Sequence, residues 1–302
     1  MEVKTKLKIN TKAIQKNKNF KVLICNTKCS KNSFDGKILG LTLSEWVVFA
    51  CGDIPYKIVD YDKKVNLLEF AKNYITEDED YTIILLSSTP LITHETLTGI
   101  IEYASFKDIN LCKLSVGYVA KNKYLMQASQ LLVDSVYAQN AEDFYLVESK
   151  AQFVYAQKVL SERINNFHII NGVDIINPQN TYIEPFVDIL PNVIIYPNNS
   201  LKGKTTIYSG VILKENNVIE NSKIGKDSCL SSSIITDTIL ESNVYVSAFC
   251  TISNSIVGHD VTIQKGCSLN GCNVPAMSKI NTNEKRGYDD SDSGTGQSGQ
   301  KL

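Results

Sequence analysis

From Ile183 to Ile219 an aliphatic residue falls at every sixth position: Ile183, Ile189, Ile195, Leu201, Ile207, Leu213 and Ile219. A period of six fits neither an ordinary helix, which would carry those positions around its surface, nor a free strand, whose side chains simply alternate. It predicts a parallel β-helix, in which each hexapeptide supplies one flat wall, three walls make a coil and the sixth-position aliphatics stack inward. Past Ile219 the phase slips and recovers: Ile224 and Leu230 are six apart, as are Leu240, Val246 and Ile252, and then Val257, Ile263 and Leu269. Such slips mark corners or bulges. Between the aliphatics lie Pro191, Pro197, Gly203, Gly210, Gly225, Gly258 and Gly266 with many Asn and Ser, residues suited to tight or left-handed corners. At about 18 residues per coil, residues 183–274 hold roughly five coils. A β-sandwich would instead alternate, with irregular turns and no fixed register.

Upstream the texture is different. Residues 21–25 (KVLIC) form an apolar run fit for a buried strand, and Ser44 is placed to cap a helix through residue 50. Strands are predicted over 56–61, 81–86 and 111–120. Helices are predicted over 65–75, 93–104 (with His94 and Glu95 in the first turn) and 121–133, and 138–144 reads as a connection. This alternation implies βαβ units and a mainly parallel sheet. Residues 148–166 have Phe153, Ala156, Val159, Leu160 and Ile164 on one side and Lys158, Glu162 and Arg163 on the other, an amphipathic helix joining two domains. The expected division is an N-terminal arm (1–19), an α/β domain (20–145), a joining helix (146–171), a left-handed β-helix (172–280) and a disordered tail (281–302) rich in Gly, Ser, Asp and Gln, where Asp289, Asp290 and Asp292 read as solubilising charges.

Composition narrows the function classes. A net charge of −1 over 302 residues argues against nucleic acid or an anionic membrane as a partner. No apolar run approaches about 18 residues, and the Lys-rich start lacks the apolar segment of a signal peptide, so a cytoplasmic protein is expected. The eight cysteines read as reduced thiols. Cys25 with Cys29, and Cys267 with Cys272, have no nearby His pair to complete a zinc site. Cys250 and Cys267 stand about one coil apart and are expected to stack inside the β-helix.

A helix ending in LSERINN and followed by GVDIINPQNTYIEPFVDILPNVIIYPNN is similar to the bacterial bifunctional family that transfers uridyl and acetyl groups to make UDP-N-acetylglucosamine. The likeness is specific over residues 147 to about 225, with Asn177 where that family has the Asp of an Asp-Pro pair. It implies a shortened Rossmann-like nucleotidyltransferase domain followed by a left-handed parallel β-helix. It also shows departures. The family's glycine-rich phosphate loop is replaced by Asn26, Thr27, Lys28, Cys29, Ser30, Lys31 and Asn32. Gly36, Lys37, Ile38 and Leu39 stand for its Pro-Lys-Val-Leu, which makes Lys37 a nucleotide-phosphate candidate, set against a solvated lysine. Residues 86–92 (LSSTPLI) stand for its Tyr-Gly-Asp-Val-Pro-Leu-Ile, whose Asp holds magnesium, and Ser88 occupies the Asp position. A neutral hydroxyl does not replace a carboxylate there. Asp53, Asp60 and Asp62 are the remaining carboxylates near strand ends, where α/β ligands bind.

The family's acetyl-transfer residues lie in coils beyond those present. His259, in a Gly-His-Asp step, is the β-helix histidine available as a general base for hexapeptide acyl transfer, set against a surface corner histidine. His94 and His168 read as structural. The expectation is a degenerate sugar nucleotidyltransferase-like protein, a non-catalytic sugar-nucleotide binder or regulatory scaffold, without a cofactor and assembled as a homotrimer through its β-helix. The alternatives are a divergent magnesium-dependent sugar-1-phosphate nucleotidyltransferase and an acyltransferase using His259.

Overall fold

The computed structural model describes residues 19–27 and 36–287. The N-terminal arm up to residue 18, most of the loop that replaces the glycine-rich one (28–35) and the tail beyond 287 lie outside the described residues. Two compact units divide between Leu160 and Ser161.

The first unit is an α/β sheet. Strands β1 (Phe20–Thr27), β2 (Tyr56–Tyr61), β3 (Tyr81–Leu86), β4 (Leu111–Lys113), β5 (Tyr118–Lys121) and β6 (Ser135–Val136) are ordered β2-β1-β3-β5-β4-β6. The pairs β1–β2, β1–β3 and β4–β6 are parallel, whereas β3–β5 and β4–β5 are antiparallel. The single strand expected over 111–120 is therefore a hairpin. Gly117 makes the reversal possible, because its φ is +99° and a Cβ there would stand 2.1 Å from the Ile84 carbonyl oxygen.

Helix α1 (Leu43–Cys51) is capped by Thr42 rather than Ser44: Thr42 accepts from Glu45 N, and Glu45 returns a bond to Thr42 N, a full capping box. Helix α2 (Leu67–Ala71) runs into a 3-10 turn, helix α3 (His94–Lys107) is capped by Thr93, and helix α4 (Asn122–Gln127) is half the expected length. Helices cover two aliphatic clusters, one on each face of the sheet. His94 is structural, with Nδ1 3.1 Å from Ala50 O.

Helix α5 (Lys150–Ile170) leads into a left-handed parallel β-helix with three walls. The first and second walls have seven strands and the third has six, so the stack runs from Asp174–Ile175 to Lys285–Arg286 and holds about seven coils rather than five. The short coils explain the difference. Successive inward residues of the first wall, Ile195, Leu213, Leu230 and Val246, are 18, 17 and 16 residues apart. The slips are corners that lose one residue. From the second wall to the third, Ile183→Ile189 and Leu201→Ile207 span six, whereas Ile219→Ile224, Ile235→Leu240, Ile252→Val257 and Leu269→Val274 span five. Asn221, Asp237, Asn254 and Gly271 turn these shorter corners with positive φ. Gly225 and Gly258 serve another purpose than a left-handed turn: a Cβ on Gly258 would stand 2.6 Å from Ala276 N of the next coil.

The core is one continuous column of aliphatics lined at two corners by buried polar residues. Asn217 Nδ2 donates to Asn199 Oδ1 (2.9 Å) and Lys214 O (2.6 Å), while its Oδ1 accepts from Ser233 N (3.1 Å). Cys250 and Cys267 continue that column, their thiols donating to Gln264 O (3.1 Å) and Asn281 O (2.9 Å). At the second corner Thr205, Ser222, Thr238 and Ser255 each accept from a backbone N–H one coil on. Buried polar groups in the stack thus find partners in the next rung.

Candidate functional site

In an open α/β sheet, ligands meet the carboxyl ends of the strands at the point where strand order reverses. Here that point is β1, with β2 on one side and β3 on the other. Three polar side chains meet across it. Asn26 Nδ2 donates to Asp60 Oδ1 (3.3 Å), and Ser87 Oγ donates to Asn26 Oδ1 (3.1 Å). Ser87 N also donates to Cys25 O (3.0 Å), so the turn after β3 is stitched to the end of β1. Asp62 folds into its own turn, accepting from Lys64 N (3.0 Å). Asp53 precedes β2, whose Tyr56 pairs with Val22 near the start of β1, and so sits at the opposite end of the sheet.

Ser88 follows directly and is closed in. It is 5% exposed, its carbonyl accepts from Val147 N (2.8 Å), and its Oγ has no hydrogen-bond partner among the described residues. Val147 is itself buried. A magnesium ion bound by protein and phosphate takes one or two carboxylates in octahedral geometry. The described residues do not fit that ion: the expected carboxylate is a covered hydroxyl, Asp60 is tied to Asn26, and no three His, Cys, Asp or Glu residues cluster as metal ligands. Lys37 is exposed, and no hydrogen bond or ion pair joins it to Ser88 among the described residues. The Glu45 carboxyl is held below its usual range chiefly by the Thr42 backbone and hydroxyl donors, with the Lys37 charge assisting.

The second unit carries His259 at a corner between the third and first walls. His259 Nδ1 lies 2.8 Å from Asp260 Oδ2, and Asp260 Oδ1 accepts from Asn243 Nδ2 (3.0 Å). Those donors, His259 first and Asn243 second, hold the Asp260 carboxyl below its usual range. An ionised carboxylate only accepts, so the proton sits on Nδ1 and Nε2 is left with its lone pair in the neutral ring. His259 N is in turn fixed by Glu241 Oε2 (2.9 Å) one coil below. Lys37 and Ser88 thus belong to one unit and His259 to the other.

Comparison with known proteins places these features. A family described as the GMPPB C-terminal domain matches residues 177–288, most of the β-helix. The bifunctional protein GlmU of Clostridium acetobutylicum is 37% identical over 146 residues, covering 46% of this chain and 32% of that one. The chain resembles GlmU. The GlmU of Clostridium novyi is 32% identical over 190 residues (59% of this chain, 42% of the relative), and that of Clostridioides difficile is 28% identical over 262 residues (65% and 57%). The chain therefore spans a third to somewhat over half of the length of these GlmU relatives. The acetyltransferase domain of PglB from Neisseria gonorrhoeae in complex with acetyl coenzyme A aligns over 90% of this chain and 97% of its own with 12% identity and a TM-score of 0.34. In this GlmU-like chain the Asn26–Asp60–Ser87 network and the pairing of Asp260 with His259 escaped sequence reading. The first joins residues 61 apart and leaves no local pattern, whereas the Gly-His-Asp step held the signal for the second.

Proposed function

We propose that this GlmU-related protein binds a sugar nucleotide, or scaffolds a relative that does, without magnesium-dependent uridyl transfer. The observation that carries this reading is Ser88: the position expected to hold the metal is a buried hydroxyl with no partner among the described residues, its carbonyl bonded by Val147 N. Uridyl transfer requires charge neutralisation on the departing pyrophosphate, and the polar side chains at the sheet's carboxyl edge bond to one another. Thermal shift with UTP and UDP-N-acetylglucosamine, each with magnesium or EDTA, tests it. Stabilisation by the sugar nucleotide indifferent to magnesium is expected, and a magnesium-dependent shift with UTP argues against it.

A second reading is favoured by one geometry. The His259–Asp260 pair has the orientation of a general base with Nε2 open, as acyl transfer needs. A shift with acetyl coenzyme A that His259→Ala abolishes supports it, and no shift counts against it.

Assembly as a homotrimer is supported by the outer column of the first wall, where Ile194, Ile212 and Cys229 are half-buried and Tyr245 is exposed, side chains a second copy can cover. Light scattering is expected to give three copies, and a monomer at micromolar concentration contradicts this. A reducing, cytoplasmic setting is supported by the free state of all the described cysteines.

A further inference from the structure

Two turns 85 residues apart meet at the carboxyl end of the sheet. Val147 N donates to Ser88 O (2.8 Å), just beyond the end of β3, and the next side chain, Glu148, reaches Lys63, just beyond the end of β2. Glu148 Oε1 lies 2.6 Å from Lys63 Nζ. Because β1 lies between β2 and β3, residues 147–148 reach from one side to the other of the point where strand order reverses, the place at which an open α/β sheet meets its ligand.

Both backbones are fixed locally. Ahead of α5, Glu148 N donates to Gln152 Oε1 (2.9 Å), and Ser149 Oγ donates to the same oxygen (2.9 Å) while accepting from Gln152 N (3.3 Å). In the turn after β2, Asp62 Oδ1 accepts from Lys64 N (3.0 Å), Asp62 O accepts from Val65 N (3.0 Å), and Tyr61 OH donates to Val65 O (2.6 Å). The side chains that meet are not fixed in this way. Lys63 and Glu148 are 49% and 47% exposed, and an ion pair so exposed adds little to stability and parts readily. A lysine ammonium is a point charge with three donors on a flexible stem, as well suited to a phosphate oxygen as to a carboxylate. The neighbouring carboxylates are engaged, Asp60 by Asn26 Nδ2 and Asp62 by Lys64 N.

We propose that Lys63 binds the diphosphate of the sugar nucleotide and that Glu148 is an internal competitor, a carboxylate that stands on the lysine until a phosphate displaces it. This rests on the sugar-nucleotide reading above and names the residue that meets the phosphates and the one that regulates it. A lysine there neutralises part of the diphosphate charge without magnesium.

Calorimetric titration of the full chain with UDP-N-acetylglucosamine in EDTA tests this in the wild type, Lys63→Gln, Glu148→Gln and the double variant. Lys63→Gln is expected to weaken binding at least about tenfold through the loss of a charge-assisted bond. Glu148→Gln is expected to tighten it about two- to fivefold, because the exposed pair no longer has to part, and to change nothing once Lys63 is replaced. Wild-type binding that Lys63→Gln leaves unmoved overturns the role of Lys63 while the sugar-nucleotide reading stands. An affinity that Glu148→Gln leaves unaltered, or alters equally in both backgrounds, overturns the role of Glu148. No binding by any of the four overturns both the proposal and the sugar-nucleotide reading. All four are expected to melt together, since both side chains are half exposed. If Lys63→Gln melts early, the tightening by Glu148→Gln is the deciding result.

Discussion

The α/β unit and the β-helix treat an irregular residue in opposite ways. In the β-helix a polar residue at a corner is absorbed by the next rung: Asn199 meets Asn217, Asn217 meets Ser233, and Cys250 takes a carbonyl one coil on. In the α/β unit, Ser88 stands where the GlmU resemblance calls for a carboxylate, and no described residue meets its hydroxyl. Around it Asn26, Asp60 and Ser87 bond to each other across three strand ends. A repeated frame supplies partners at every step, so its exceptions stay satisfied. A site for chemistry is built once, and when one member changes no neighbour is in register to answer it.

The comparison is broken most severely by a cavity in the stack. Ile219→Ala empties a fully buried position and is expected to cost about 3 kcal/mol. Urea unfolding followed by far-ultraviolet circular dichroism reads that loss, while Trp46, the single tryptophan, buried in the first unit's core with Nε1 donating to Ile38 O at 2.8 Å, reports on the α/β unit. A Trp46 transition that moves as far as the ellipticity would mean the two cores are not energetically separate.

Acidification offers a comparable effect with no mutation. Burial lowers the pKa of His168 from 6.5 to about 4. The unfolded chain therefore takes up the proton first, so the stability contributed by the neutral ring is complete above pH 6.5 and is lost as pH falls toward 4. The loss amounts to about 3 kcal/mol. In His168→Leu that part of the pH dependence is expected to vanish, and an unchanged slope between pH 6.5 and 4 assigns it elsewhere.

A smaller effect separates the ladder from the column it lines. Asn217→Ala leaves Ser233 N without its buried acceptor and takes one donor each from Lys214 O and Asn199 Oδ1, which keep Asn199 Nδ2 and the residue-217 N–H, and a cost of about 2 kcal/mol is expected in the melting of the stack. Asn217→Ser, the residue used one rung on, is expected to recover part of it.

How much of this was legible follows from repetition. The six-residue register of Ile183 to Ile219 named the walls, and its phase slips named the corners, because every coil repeats the same demand. What the register hid was length: once corners drop a residue the pattern thins, and the strand at Lys285–Arg286 carries charges that read as tail. In the α/β unit, the strand at 81–86 was legible as a mostly apolar run, and that at 56–61 as a short segment rich in strand-forming residues. The hairpin at 111–121 was not, since its reversal rests on one glycine within a run of suitable strand residues. Ser88 could be flagged by likeness, but the bond its carbonyl accepts comes from Val147, 59 residues away, which no local pattern reveals.

The smallest expected effect belongs to Ser88 itself. Ser88→Ala removes an unsatisfied buried hydroxyl and is expected to leave the α/β unit as stable as before or stabilise it by up to about 1 kcal/mol. A loss of more than that in the Trp46 transition would show that the hydroxyl has a partner.

The account rests most directly on whether the α/β unit turns over nucleotide. The full chain, incubated at high concentration with UTP, N-acetylglucosamine-1-phosphate and magnesium, is predicted to release no pyrophosphate above the protein-free background. Magnesium-dependent release of pyrophosphate that rises with protein concentration would contradict it.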